Sequence, residues 1–167
     1  MRGCRVARSS IVLVDGRSGA GKTDYARSLA ETTGAQLVSI DEVYPGWDGL
    51  DAGSAHIYRY LLTPLLAGMP GSYQRWDWAH GTHGEWRTIA AGTDVVIEGC
   101  GAIRRGAPGQ VTETIWLECP EETRQQRAMD RDGALYRPHW ERWARQEDRF
   151  LRIHESDETA DRRVWGE

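Results

Sequence analysis

The chain of 167 residues contains no asparagine, and Lys22 is the single lysine among its 21 Lys and Arg residues. Such an arginine bias is a compositional effect, so a lysine that persists against it is the first position to examine. Phenylalanine occurs once and cysteine three times, at Cys4, Cys100 and Cys119. An odd number of thiols without metal-ligand spacing excludes a disulfide-stapled scaffold and points to reduced cysteines in the cytoplasm. No apolar run reaches the ~20 residues needed to cross a bilayer. The basic leader 1–10, expected to be flexible, lacks the apolar stretch of a signal peptide. A formal charge of −4 offers no electrostatic reason to expect nucleic acid as a partner. What remains is a globular composition, 40% hydrophobic and 28% charged, sized for one domain over 11–167.

Hydrophobic patterning predicts strands at 11–15, 36–40, 93–98 and 114–118, each a short apolar run of the kind buried on both faces. Arg163–Trp165 is expected to add a short last strand. Helices are predicted at 22–33, closed by Gly34, at 54–66 with Ser54 as N-cap, at 85–91, at 120–131 and at 138–154. Pro64 is expected to kink the second of these. Segment 68–84 reads as turn-rich and aromatic. Strands alternating with helices imply right-handed crossovers and a three-layer α/β domain with a parallel sheet covered on both faces.

The strongest motif is Gly16-Arg17-Ser18-Gly19-Ala20-Gly21-Lys22-Thr23, which fits G-x-x-x-x-G-K-[ST] between a buried strand and a helix start. Glycines at these positions let successive N–H groups converge on phosphate oxygens, and the helix N-terminus adds partial positive charge. Gly16, Ser18, Gly19, Ala20, Gly21, Lys22 and Thr23 are therefore the expected nucleotide-binding residues. Lys22 is expected at the β- and γ-phosphates and the Thr23 hydroxyl on Mg²⁺. The chain lacks the asparagine of a guanine-reading motif, an LSGGQ-like signature, and an Asp-Glu pair after Val95-Val96-Ile97. Those absences turn the reading away from GTPases, transporter ATPases and motor ATPases, towards small-molecule kinases.

Four motifs in order, the phosphate loop, Asp41-x-x-Tyr44, Asp77-Trp78-x-His80 and Val96-Ile97-Glu98-Gly99, resemble the uridine kinase branch of P-loop kinases. A fifth, Thr123-Arg124-x-x-Arg127-x-x-x-Arg131-Asp132, resembles the arginine-bearing lid helix of that family, expected here near 120–137. The resemblance implies a P-loop NTPase fold with five parallel strands in the order 2-3-1-4-5, and transfer from ATP with Mg²⁺ to a nucleoside-like hydroxyl acceptor. It implies that Asp41 is the general base, and that Arg127 and Arg131 act in catalysis. Arg124 is expected on the nucleotide, and Tyr44, Asp77, Trp78 and His80 on the acceptor. Two departures concern the acceptor: Gly46-Trp47-Asp48-Gly49 follows Tyr44, and the arginine cluster usual after Arg-Asp is missing, a role left to Arg137.

The residues support this independently. A neutral hydroxyl needs a base, which Asp41 at the C-terminal end of the second strand could supply; its alternative is a turn or cap carboxylate. Glu98 is the expected metal carboxylate, with a strand-end cap as the alternative. Arg124, Arg127 and Arg131 share one helix face, which could close over a triphosphate or simply face solvent. No Lys or Arg occurs between Ser28 and Tyr58, which favours an uncharged or cationic acceptor over a phosphorylated one; Arg59, Arg75 and Arg87 could still hold a phosphate. Of the eight tryptophans, Trp116 and Trp143 are expected in the core, and Trp47, Trp76 and Trp78 beside the acceptor. His56, His83, His139 and His154 show no metal spacing. A nucleotide monophosphate kinase and a non-catalytic ATP-binding module remain the alternatives.

Overall fold

The computed structural model describes residues 8–106 and 110–166; positions 1–7 of the expected leader lie outside the described residues. Five strands, β1 (Ile11–Gly16), β2 (Gln36–Ser39), β5 (Val95–Glu98), β6 (Glu113–Glu118) and β7 (Arg162–Trp165), form one sheet. Its order is β2-β5-β1-β6-β7 with every pairing parallel. Counted along the chain, this is the expected 2-3-1-4-5.

Strand periodicity divides the core into two layers. Ile11, Leu13, Val95 and Ile97 face one side and pack with Leu50, Ile57, Trp143 and Phe150. Val14 and Val96 face the other, against the small Ala26 and Ala30 of helix α1 (Lys22–Thr33). Helices α2 (Leu50–Ile57) and α5 (Trp140–His154) cover the first side. Gly34 ends α1 in the left-handed conformation, its N–H on the Ala30 carbonyl, as its position in the sequence predicts.

Several local expectations need correction. Segment 85–91 is not a helix: Thr82–Ile89 forms β4, paired antiparallel with β3 (Gly71–Asp77). Trp86, Thr88 and Ile89 favour a pleated strand, and a neighbouring strand was available to satisfy its backbone groups. Ser54 does not cap a helix; α2 begins at Leu50, and the fully buried Ser54 hydroxyl donates to the Gly101 carbonyl at 2.6 Å. Before Pro64 the chain widens into a π-helical turn, Tyr58–Leu62, leading to α3 (Thr63–Leu66). A wider turn is one way to accommodate the N–H that proline lacks. Helix α4 (Glu121–Tyr136) runs past 131 but is broken at Gly133, φ 45° and ψ −118°. A 3₁₀ turn, Arg137–His139, joins it to α5, and α6 (Ser156–Thr159) precedes β7.

Parallel register brings the C-terminal ends of the strands to one edge. Val14 and Ser39 both pair with Glu98, and Gly16 pairs with Leu117. Ligands of open α/β sheets bind at this edge, beside the central strand where the winding reverses.

Candidate active site

The loop between β1 and α1 is held by close backbone approaches. A Cβ on Gly16 would sit 2.7 Å from the Leu117 carbonyl oxygen, and one on Gly19 (φ +80°) 2.2 Å from that of Arg124. Gly21, φ 91°, starts α1. Ser18, Gly19, Gly21, Lys22 and Thr23 line a cavity of about 900 Å³, whereas Gly16 and the buried Ala20 support the loop from behind. The Lys22 ammonium is buried and donates to the Arg17 carbonyl at 2.9 Å. Burial opposes its charge, but Cys100, Glu98 and Asp41 around it raise its pKa overall.

Two carboxylates face this lysine. Glu98 ends β5 and accepts the Thr23 hydroxyl at 3.3 Å. Asp41 belongs to a 3₁₀ turn, Ile40–Glu42, that follows β2, so the Ser39–Glu98 register sets the two acids side by side. Asp41 is an exposed residue that lines the cavity. Desolvation by the protein around it still raises its pKa, with Lys22 and Arg131 pulling the other way. Burial, then the Asp41 charge, raise that of Glu98. Among the described residues no three or more His, Cys, Asp or Glu side chains converge as a metal cage. Mg²⁺ needs none, since it takes one or two protein oxygens and completes its shell with phosphate and water. Thr23 and Glu98 fit that pattern.

From α4, Arg127 and Arg131 line the cavity. The Arg127 guanidinium lies 3.8 Å from where a Gly21 Cβ would be, and Arg131 pairs with Asp132 at 2.7 Å. Arg124 does not reach the cavity. Its buried guanidinium donates to the carbonyls of Cys119 at 3.1 Å and Ser18 at 3.3 Å, so it braces the loop. Beyond the break at Gly133, Tyr136 and His139 both line the cavity.

Part of the cavity wall is aromatic. Trp47 stacks on His139 at 4.3 Å and Tyr136 at 5.3 Å between centroids, and tilts against Trp78 at 5.2 Å. Tyr44 meets Trp143 edge-on at 4.8 Å, while its hydroxyl donates to the Cys100 carbonyl at 2.7 Å. Tyr44 and Trp78 are thus among the cavity-lining residues. Asp77 and His80 are not: they pair at 2.7 Å in the turn between β3 and β4, where Asp77 also accepts the N–H groups of Ala79 and His80. Trp76, packed on His83, also lies outside the cavity wall, as does Arg137. Arg75 and Arg87 pair with Glu42 and Glu85, and neither they nor Arg59 line the cavity.

Several residues of the site carry no signal in the sequence. Tyr136 and His139 line the cavity beyond the break of α4 at Gly133, a break that no apolar spacing announces. Trp143 is buried as expected but also walls the cavity. Asp15 is buried beneath the loop and accepts the N–H groups of Gly16, Gly101 and Ile103. Glu147, one acid on a charged helix, reaches the loop itself at the Ser18 N–H.

Compared with known proteins, the chain matches no family model and no curated protein by sequence. Solved structures do match. A structure described as a possible uridine kinase from Bacillus stearothermophilus aligns with a TM-score of 0.63 at 20% identity, over 97% of this chain and 91% of that one. A candidate fructose transport system kinase from Silicibacter sp. TM1040 aligns with a TM-score of 0.56 at 19% identity, over 96% and 91%. At such identities the likeness is one of fold alone, an α/β domain shared with these two structures.

Proposed function

We propose that this protein transfers the γ-phosphoryl group of ATP to a hydroxyl group of a small, nucleoside-like molecule. The observation that carries this reading is a single cavity lined by the phosphate loop with Lys22, by Asp41 and Glu98 beside that lysine, and by an aromatic wall. Lys22 and the loop N–H groups hold the β- and γ-phosphates. Thr23 and Glu98 hold Mg²⁺, which when bound neutralises charge on the phosphates. Asp41 accepts the proton of the acceptor hydroxyl as its oxygen bonds to phosphorus and the bond to the ADP oxygen breaks. A pKa raised by its surroundings brings this carboxylate closer to the working pH of a base. Arg127 and Arg131 stabilise charge on the moving phosphoryl group.

The arginines speak against a phosphorylated acceptor. Among the described residues, the Lys and Arg side chains lining the cavity, Lys22, Arg27, Arg127 and Arg131, come from α1 and α4. Neither the segment that carries Asp41, Tyr44 and Trp47 nor the β3–β4 hairpin contributes one, which favours an uncharged acceptor over a phosphorylated one. A cytoplasmic setting, where ATP is present and thiols such as Cys100 and Cys119 stay reduced, belongs to the same reading.

The test is an acceptor screen that reads ADP release, pairing each hydroxyl compound with its phosphorylated form and using Lys22→Ala as the inactive control. Transfer to unphosphorylated compounds that Lys22→Ala abolishes is expected. Transfer confined to phosphorylated acceptors would make the protein a monophosphate kinase. ATP binding with no acceptor-stimulated ADP release would make it a binding module.

A further inference from the structure

Ser18 is held from outside the loop at every polar atom. Its N–H donates to Glu147 at 2.6 Å, its carbonyl accepts Arg124 at 3.3 Å, and its hydroxyl bonds to that of Tyr136 at 2.8 Å. Glu147 is the unexpected partner. It is a carboxylate only 5% exposed, set behind a loop whose purpose is to attract anions, where its charge opposes phosphate binding. Arg17 offsets part of that charge at 2.9 Å, and itself reaches Asp148 at 2.8 Å and the Ala144 carbonyl at 3.3 Å. An ion pair between Arg17 and α5 would have sufficed to fasten the helix. The bond to Ser18 does something more.

The Ser18 N–H and the Arg17 carbonyl belong to one peptide unit, so their directions are locked to each other by its planarity. The N–H side is fixed by Glu147 and the carbonyl side accepts the Lys22 ammonium at 2.9 Å. A charge-assisted bond at the N–H end both orients the plane and polarises its carbonyl. We infer that Glu147 is a positioning residue for Lys22, which it acts on through the Arg17–Ser18 peptide so that the ammonium stands ready for the β- and γ-phosphates. This rests on the reading of Lys22 as a phosphate ligand.

The experiment compares Mg²⁺–ATP and AMP as probes by calorimetry or displacement. AMP lacks the two phosphates that Lys22 would reach, so a defect acting through Lys22 separates the two ligands, while a general loosening of the fold does not. Glu147→Ala should weaken ATP by at least about tenfold, and Glu147→Gln, which keeps a neutral acceptor of the same shape, by about threefold. AMP should change less than twofold in both. Asp148→Asn, which cuts the neighbouring pair with Arg17 and leaves Ser18 its acceptor, should bind both ligands as the wild type does. If Glu147→Ala fails to fold, Glu147→Gln decides alone. ATP affinity unchanged in the folded Glu147 variants, or equal weakening of ATP and AMP, would overturn the inference. A wild type that binds no ATP would instead overturn the proposed function and take this inference with it.

Discussion

The indole N–H of Trp78 donates to the backbone carbonyl of Asp41 at 3.0 Å. Trp78 sits in the turn of the β3–β4 hairpin, and Asp41 belongs to the 3₁₀ turn after β2. The hairpin is tied to the same turn a second time by Arg75 and Glu42 at 3.2 Å. An arm outside the main sheet thus fixes the backbone that presents the proposed base, and supplies part of the aromatic wall beside it.

Trp78→Phe keeps an aromatic ring and deletes the donor. A neutral hydrogen bond of this kind contributes about 0.5–1.5 kcal/mol, so KM for the best acceptor should rise by about two- to tenfold. The nucleotide Kd should stay as it is, because the phosphate loop does not touch the hairpin turn. Steady-state kinetics and calorimetry with ADP separate the two. A changed nucleotide Kd with an unchanged acceptor KM would assign the hairpin to the donor side.

Gly19 and Gly34 are both left-handed, at φ +80° and +72°, yet they differ in surroundings. Around a Cβ at position 34 there is open space within 4 Å, so Gly34→Ala should cost only the conformational penalty of about 1–2 kcal/mol. The Cβ of Gly19→Ala would collide with the Arg124 backbone, and either the loop or the start of α4 must move. Gly19→Ala is expected to cost at least about 3 kcal/mol in denaturant unfolding and to lose ATP binding. Equal destabilisation by the two substitutions would mean that the loop is free to shift away from α4.

How much was legible beforehand depended on whether a feature was local. The strand Ile11–Gly16, the glycine loop after it and the capped helix Lys22–Thr33 are written in consecutive residues, and the structure has this strand, loop and helix where the sequence predicts them. The same holds for the apolar runs of β1, β5 and β6, whose burial on both faces needs no partner to be named. The sequence predicts a helix at 85–91 because this segment acquires strand character only by pairing with 71–77, which no window of that length contains. Asp77 and His80 looked like ligand residues by order in the chain, but a turn three residues apart lets them satisfy each other. Glu147 and Asp15 were invisible for the opposite reason: each acts on backbone N–H groups, which leave no mark in the sequence.

Asp15 gives the apo protein a signed dependence on pH. Burial pushes its carboxyl from 3.8 up to about 7, against the pull of the Ile103, Gly16 and Gly101 N–H groups and of Lys22. A folded pKa above the unfolded one means stability that is complete below about pH 4 and is lost as pH rises through about 7. His56 and His154 have the opposite shift, lowered by burial. Their stability is present above the unfolded histidine value of about 6.5 and is lost on acidification. The Asp15 slope is therefore clearest between pH 6.5 and 8, where linkage gives a loss of about 1 kcal/mol. Asp15→Asn should be less stable than wild type throughout, because it cannot satisfy the same N–H groups, and should have a shallower slope, the remainder belonging to Asp41 and Glu98, whose carboxyls are also raised. Denaturant midpoints across this range would show it, and an equal slope in both proteins would place the titration elsewhere.

The choice of acceptor chemistry turns on Asp41. An alcohol is a poor nucleophile near neutral pH, and a positioned base that takes its proton contributes about a hundred- to ten-thousandfold. Asp41→Asn preserves shape and most hydrogen bonding while removing the base and one negative charge beside Lys22. Transfer to the best hydroxyl acceptor is expected to fall by at least about a hundredfold, with ATP affinity nearly unchanged, as for a group that acts only in the transition state. Glu98 provides the contrast, since it shares a hydrogen bond with Thr23 and Glu98→Gln should weaken Mg²⁺-dependent ATP binding as well as transfer. Single-turnover transfer and ATP binding measured on both variants decide the assignment. If Asp41→Asn loses ATP binding in step with transfer, Asp41 belongs with Glu98 at the metal. If its transfer is unchanged, the acceptor oxygen arrives already ionised, as a phosphate does, and the hydroxyl reading fails.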